Sequence, residues 1–224
     1  MLTGPIMVTS SQAEKIVLLL NEAFPSTHTF LNHKANKDYE FLFAVILSAQ
    51  ATDASVNQAT SVLFKKYPNL LDYNDKNKDG ILTCVKSVGL SNTKVKHILQ
   101  TASILINQYH GKLPQDREEL MKLPGVGFKT SGVVLGELYD YPLIPVDTHV
   151  YRISHRMGLV SNRLDPKKTE IALEKVFKEE ANIHLHQRLI LLGRTFCKAK
   201  KPDCLNCPVR DYCNFFKKNS KKEN

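Results

Sequence analysis

LMKLPGVGFKTSGVVLGEL, Leu120 to Leu138, is the stretch on which the fold turns. Asp116 with Glu119 three residues on marks a short capped helix ending near Lys122. A Pro-Gly-Val-Gly turn follows, and an apolar-periodic run then opens a second helix. Residues 116–139 therefore read as a helix–hairpin–helix. Gly125 and Gly127 let the turn take positive φ and leave backbone N–H groups uncovered. Beside a helix N-terminus, with its partial positive charge, such groups suit a phosphate, directly or through a bridging cation.

Lys129 falls in the first turn of the second helix, where the macrodipole disfavours a cation. Two readings are open: a phosphate contact, or an amine used in its neutral form. An ordinary lysine is neutral in only about one copy in a few thousand at pH 7. Lowering its pKa by roughly 3 units takes about 4 kcal/mol, for which burial and the helix end are the available forces. Asp147 lies eighteen residues further on, in PVDTHVYRISHRMGL (Pro145 to Leu159). Its structural role is an N-cap, worth ~1 kcal/mol. A carboxylate there also faces any ligand held at the helix entrance. The lysine and the aspartate thus form a candidate nucleophile and electrostatic partner.

The remaining pattern is helical too. Ser11 with Glu14 predicts a capping box before KIVLLLNEAF, and Asp38 is expected to cap a helix containing the densely apolar FLFAVIL. Thr52 or Asp53 starts another helix, which ends near Tyr67-Pro68. Asp165-Pro166 supplies an N-cap with proline at the first helical position. No period-two alternation argues for a strand, so the fold class is all-α. DKNKDGILTCVK, Asp75 to Lys86, imitates a calcium loop, but Lys86 stands where the closing bidentate glutamate belongs. Calcium binding is excluded on that ground, and the segment reads as a polar turn.

A chain of 224 residues with 42% hydrophobic content can bury a core in one or two domains. No apolar run approaches the ~20 residues of a membrane span. MLTGPIMVTS lacks the basic flank and apolar core of a secretory signal, so a cytoplasmic location is expected. The net charge of +9 points to a polyanionic partner. From Arg194 onward nine basic residues face three acidic ones, which places +6 of that charge in the last thirty-one residues.

Four of the five cysteines, Cys197, Cys204, Cys207 and Cys213, form a C-x6-C-x2-C-x5-C run in the same region. Disulfides fit a secreted chain, which this does not resemble. Four thiolates interspersed with lysines argue for a metal centre, and the spacing leaves both iron–sulfur and zinc open. Cys84 stands apart and is expected to be a buried, inert thiol.

LSAQATDASVNQAT, VGL, LPGVGFKT, VDTHVYR, LLGR and the four-cysteine run, in that order, resemble the endonuclease III family of helix–hairpin–helix DNA glycosylases. The resemblance covers nearly the whole chain, and its motifs are highly specific in combination. It implies two helical domains flanking a DNA-binding cleft. A six-helix domain would span residues 31–141, and a discontinuous domain of 1–30 and 142–224 would carry a [4Fe-4S] cluster on residues 197–213. It implies a monomeric base-excision enzyme for oxidised pyrimidines or abasic sites in double-stranded DNA, with Lys129 as nucleophile and Asp147 as catalytic carboxylate. Gln50 and Leu90 would enter the duplex and fill the space of a flipped base. Gly125, Val126, Gly127, Thr130, His149, Lys200 and Lys201 would contact DNA. Cys197, Cys204, Cys207 and Cys213 would hold the cluster.

Some positions depart from the family pattern. Phe128 stands where arginine is frequent, Ser91 where a larger residue is frequent, and Gly132 and Leu192 where asparagine and histidine are usual. Two other readings remain. An adenine glycosylase of the same superfamily would lack Lys129. A non-catalytic DNA-binding protein would use hairpin and cluster only as structure.

Overall fold

Every long apolar-periodic segment becomes a helix, and the apolar faces are buried in two separate cores. The computed structural model describes residues 8–161 and 164–220. Most of the stretch read for a targeting signal, and Lys221, Lys222 and Glu223 of the basic tail, therefore lie outside the described residues. Among the described residues there are eleven α-helices, a few 3-10 turns and no strand. The chain divides into one unit of Thr29–Tyr139 and another of Met1–His28 with Asp140–Asn224.

The unit of Thr29–Tyr139 holds α2 (Asp38–Ser48), α3 (Asp53–Lys66), α4 (Lys78–Cys84), α5 (Ser91–Tyr109), α6 (Arg117–Met121) and α7 (Phe128–Tyr139). In α2 every residue from Phe41 to Leu47 is buried, so this helix has no solvent stripe along its middle. It packs against α3, α5 and α7. Each large side chain buried in this way contributes about 1.5–3 kcal/mol. The expected Asp38 cap is absent. Lys37 occupies the N-cap position without a side-chain cap bond, and the Asp38 carboxylate accepts a 2.9 Å hydrogen bond from the Tyr139 hydroxyl instead. The segment rejected as a calcium loop forms a 3-10 turn (Asp75–Asn77) that runs into α4, with Asp79 in the first helical turn. Cys84, at the end of α4, is half-buried.

The other unit holds α1 (Ser10–Ala23), α8 (Thr148–Met157), α9 (Pro166–Phe177), α10 (Ile183–Thr195) and α11 (Asn214–Ser220). A capping box opens α1, but it is formed by Thr9 and Gln12, not by Ser11 and Glu14. Both pairs satisfy the pattern, and the earlier one satisfies two N–H groups two residues sooner. Helix α10 packs against α1 and α8. At its closest approach Gly193 is required, because a Cβ there would lie 2.8 Å from the His149 ring and Cβ. Asp165 and Pro166 open α9 as expected, with Asp165 accepting from the Lys168 N–H. Among the described residues no helix is long and apolar enough to cross a membrane.

Candidate functional site

The hairpin is built from α6, the turn of residues 122–127 and α7. Asp116 caps α6 by accepting from the Glu119 N–H at 2.9 Å. The Glu119 carboxylate pairs with Lys122 at 2.5 Å and accepts from the Tyr109 hydroxyl at 2.8 Å, which ties α6 to the end of α5. Thr101 of α5 donates to the Pro124 carbonyl at 3.1 Å. Gly125 has φ of +82°, and a Cβ at that position would lie 2.8 Å from the His97 ring. Glycine is therefore needed there for both conformation and space. Gly127 differs from expectation, because it has no positive φ and a Cβ there would meet nothing.

The turn presents backbone donors outward. Val126 is turned inward: its side chain is buried and its N–H donates to Leu123. The N–H groups of Gly125, Gly127, Lys129 and Thr130 have no partner among the described residues. They belong to the turn and the first residues of α7, where the helix dipole adds to their field. Lys129 is exposed there, and its amine makes no hydrogen bond or ion pair among the described residues. Phe128, beside it, is not merely a lost cation. The Arg117 guanidinium stacks 4.1 Å from the centre of its ring, so a positive charge returns to this position from α6. The sequence carried no periodic signal for that pairing across the turn.

Gln50 and Leu90 are both exposed and both left-handed, with φ of 55° and 59°. Lys201 shares that conformation at φ 49°. Among the described residues, three of the six non-glycine residues with positive φ are thus residues singled out from the sequence for DNA contact. Such backbone costs about 1–3 kcal/mol per residue and tends to collect at binding sites.

Asp147, His149, Lys200, Lys201 and the four cysteines lie in the other unit. Asp147 is the N-cap of α8: one carboxylate oxygen accepts from Val150 N–H at 2.8 Å. The second oxygen has no partner among the described residues, so capping leaves half of the group available. His149 is half-buried, and its Nδ1 accepts from Arg152 at 3.2 Å.

Arg152 and Arg156, one turn apart on α8, hold the start of the cysteine loop. Arg152 donates to the carbonyls of Gly193 and Cys197 at 3.1 and 2.9 Å. Arg156 donates to those of Lys198 and Ala199 at 2.7 and 2.9 Å, and lies 3.6 Å from the Cys197 sulfur. The loop's backbone is therefore fixed while the Lys198, Lys200 and Lys201 side chains are exposed and unpaired among the described residues. These two arginines were missed in the sequence, although their i, i+4 spacing just after VDTH was visible.

Cys197, Cys204, Cys207 and Cys213 line one hollow, with walls from Ile153, Leu192, Phe196 and Phe215. All four are free thiols. Burial pushes the Cys207 thiol up to about 11 against a Val209 N–H that lowers it, and the neighbouring cysteines raise it further. Burial and the other thiols raise Cys204 as well, and burial raises Cys213. So many thiolates need a cationic centre to be stable together. Four thiols gathered around one hollow fit an iron–sulfur group, which takes four cysteine ligands.

The hairpin and the cysteine hollow each have counterparts among known proteins. Residues 43–179 match the family model of the HhH-GPD superfamily base excision DNA repair protein, and that defines the class. Residues 197–213 match the iron-sulfur binding domain of endonuclease III. Endonuclease III of Rickettsia felis is 44% identical over 202 residues, covering 90% of this chain and 93% of that one. Two solved structures share 39% identity at a TM-score of 0.87, each covering 96% of this chain and 100% of the other. One is a non-covalent endonuclease III–DNA complex, the other a trapped endonuclease III–DNA covalent intermediate. The chain belongs to the endonuclease III family.

Proposed function

We propose that this protein is a bifunctional DNA glycosylase and AP lyase of base excision repair, with Lys129 as its nucleophile and Asp147 as its catalytic carboxylate. The observation that carries this reading is an exposed, unpaired lysine set among unpaired N–H groups at the start of α7. The N–H groups hold a phosphate, and Lys129 then meets the adjoining sugar. The substrate class is duplex DNA with oxidised pyrimidines or abasic sites, worked on by a monomer in the cytoplasm.

The damaged nucleotide leaves the stack, at a cost of a few kcal/mol that is smaller for a poorly stacked base. Gln50 and Leu90 fill the space it vacates. Neutral Lys129 attacks C1′ as the glycosidic bond breaks, and the base departs with the bonding pair and takes up a proton. The free oxygen of Asp147 stabilises positive charge developing on the sugar. The sugar ring opens to a Schiff base between C1′ and Nζ. Loss of a C2′ proton then expels the 3′ phosphate by β-elimination, and water releases Lys129. Cys197, Cys204, Cys207 and Cys213 would hold the [4Fe-4S] cluster, which would supply a rigid scaffold and no electron to this chemistry. Lys200 and Lys201, on the loop so fixed, contact phosphates and set register.

Borohydride trapping on duplexes containing thymine glycol or an abasic site tests the assignment. A covalent adduct is expected with wild type and none with Lys129→Ala. Asp147→Asn is expected to bind abasic DNA normally and excise at a rate lower by about 10² or more. Wild-type protein that binds but never traps would leave only the non-catalytic reading. Lys129→Ala that still excises adenine would favour the adenine glycosylase.

A further inference from the structure

Two of the exposed left-handed residues of the Thr29–Tyr139 unit, Gln50 and Leu90, are joined by one buried side chain. Lys94, in the first turn of α5, is 4% exposed. Its ammonium donates to the carbonyls of Leu47 at 2.9 Å and Ala49 at 2.6 Å, the residues that end α2 just before Gln50. Its own backbone N–H donates to the Leu90 carbonyl at 3.1 Å. Leu90 is the N-cap of α5 and has no side-chain cap bond of its own. The Ala51 N–H closes the opposite side of the Gln50 turn on Ser48.

A lysine at the N-terminal end of a helix opposes the macrodipole, and burial holds its ammonium below the ordinary lysine range. Nothing acidic is bonded to it to offset that cost. What it gains is the last carbonyls of α2, which would otherwise be orphaned at a helix end. No catalytic step calls on Lys94. Its bonds serve the geometry of the two chain segments it joins.

We propose that Lys94 is a positioning residue that locks Gln50 and Leu90 into one preformed wedge, so that both enter the duplex in register as the damaged nucleotide leaves. This rests on the reading of Gln50 and Leu90 given above. The left-handed backbone at both positions is already adopted in the free protein, so its cost does not fall on DNA binding.

Lys94→Met, which keeps the apolar stem and removes the donor, tests this on two substrates. The first is a thymine glycol duplex with 2-aminopurine opposite the lesion, whose fluorescence reports unstacking. The second is a single-stranded abasic oligonucleotide, which has no stack to open. Duplex excision and the fluorescence step are expected to slow about tenfold, equivalent to about 1.4 kcal/mol, while single-strand trapping stays within about twofold of wild type. Leu90→Ala is expected to lose most of its effect in the Lys94→Met background. Equal losses on both substrates, or independent multiplication of the two effects, would overturn the proposal. Should Lys94→Met not fold, Lys94→Arg, which keeps a donor but displaces it, is read on the same substrates with the same expectations. Wild-type protein that traps on neither substrate would overturn the enzyme reading itself. Unaltered duplex rates in both Gln50→Ala and Leu90→Ala would overturn the wedge.

Discussion

The hairpin and the cysteine loop are assigned the same task, holding phosphate, and they are built in opposite ways. The hairpin uses neutral backbone donors, and its shape is set locally by Gly125 against His97, by Thr101 on Pro124 and by the Asp116 cap. The cysteine loop offers full charges on Lys198, Lys200 and Lys201, and much of its shape is imposed from outside its own sequence. Arg152 and Arg156 grip its start, and four sulfurs gather around one hollow. A turn that folds by its own packing can tolerate loss of a distant partner. A loop closed by a cofactor cannot, since its free energy of ordering is largely binding free energy.

The sharpest way to break the comparison is to remove the cluster. Cys207→Ser is expected to abolish the visible charge-transfer absorption and weaken duplex binding by about 10² or more, while amide protection in α2 and α5 persists. Simultaneous loss of protection in α2 would show that the hairpin unit depends on the cluster after all.

Next in size is Gly125→Ala, which combines an unfavourable φ with a 2.8 Å contact to His97. A loss of about 2–4 kcal/mol of stability is expected in denaturant titration. Gly127→Ala meets open space and is expected to stay within about 0.5 kcal/mol of wild type, yet to weaken binding where backbone approaches phosphate. Equal stability losses at the two positions would mean that the turn is not held as described.

The smallest effect is that of one lysine. Lys201→Ala is expected to lower affinity evenly across sequences and to reduce the salt slope of binding by about 1. An unchanged slope would remove Lys201 from the phosphate contacts and leave the charged half of the comparison to Lys198 and Lys200.

The same contrast governs what could be read from the sequence. Local signals translated well: Thr52, Asp116, Asp147 and Asp165 all cap helices where their residue types and positions suggested. Where two local solutions compete, as with Thr9–Gln12 against Ser11–Glu14, pattern alone does not choose. Groups recruited across the fold were not legible. The Asp38 carboxylate is taken by Tyr139, 101 residues away, and the Arg117 stack on Phe128 depends on how the turn brings α6 against α7. Lys94 carries no signal in the sequence, because neither carbonyl it holds is near it in the chain. The cysteines and the proposed catalytic pair were visible because their chemistry restricts residue type. The residues that support them were hidden because packing supplies their partners.

Helix α8 carries Asp147 at its N-terminal end and, through Arg152 and Arg156, the cysteine loop along its length. Ten residues of α-helix span on the order of 15 Å, about four base-pair rises of B-DNA. With the roles proposed above, the helix would act as a ruler, marked in nucleotides, between a carboxylate beside one sugar and lysines on a phosphate further along the strand.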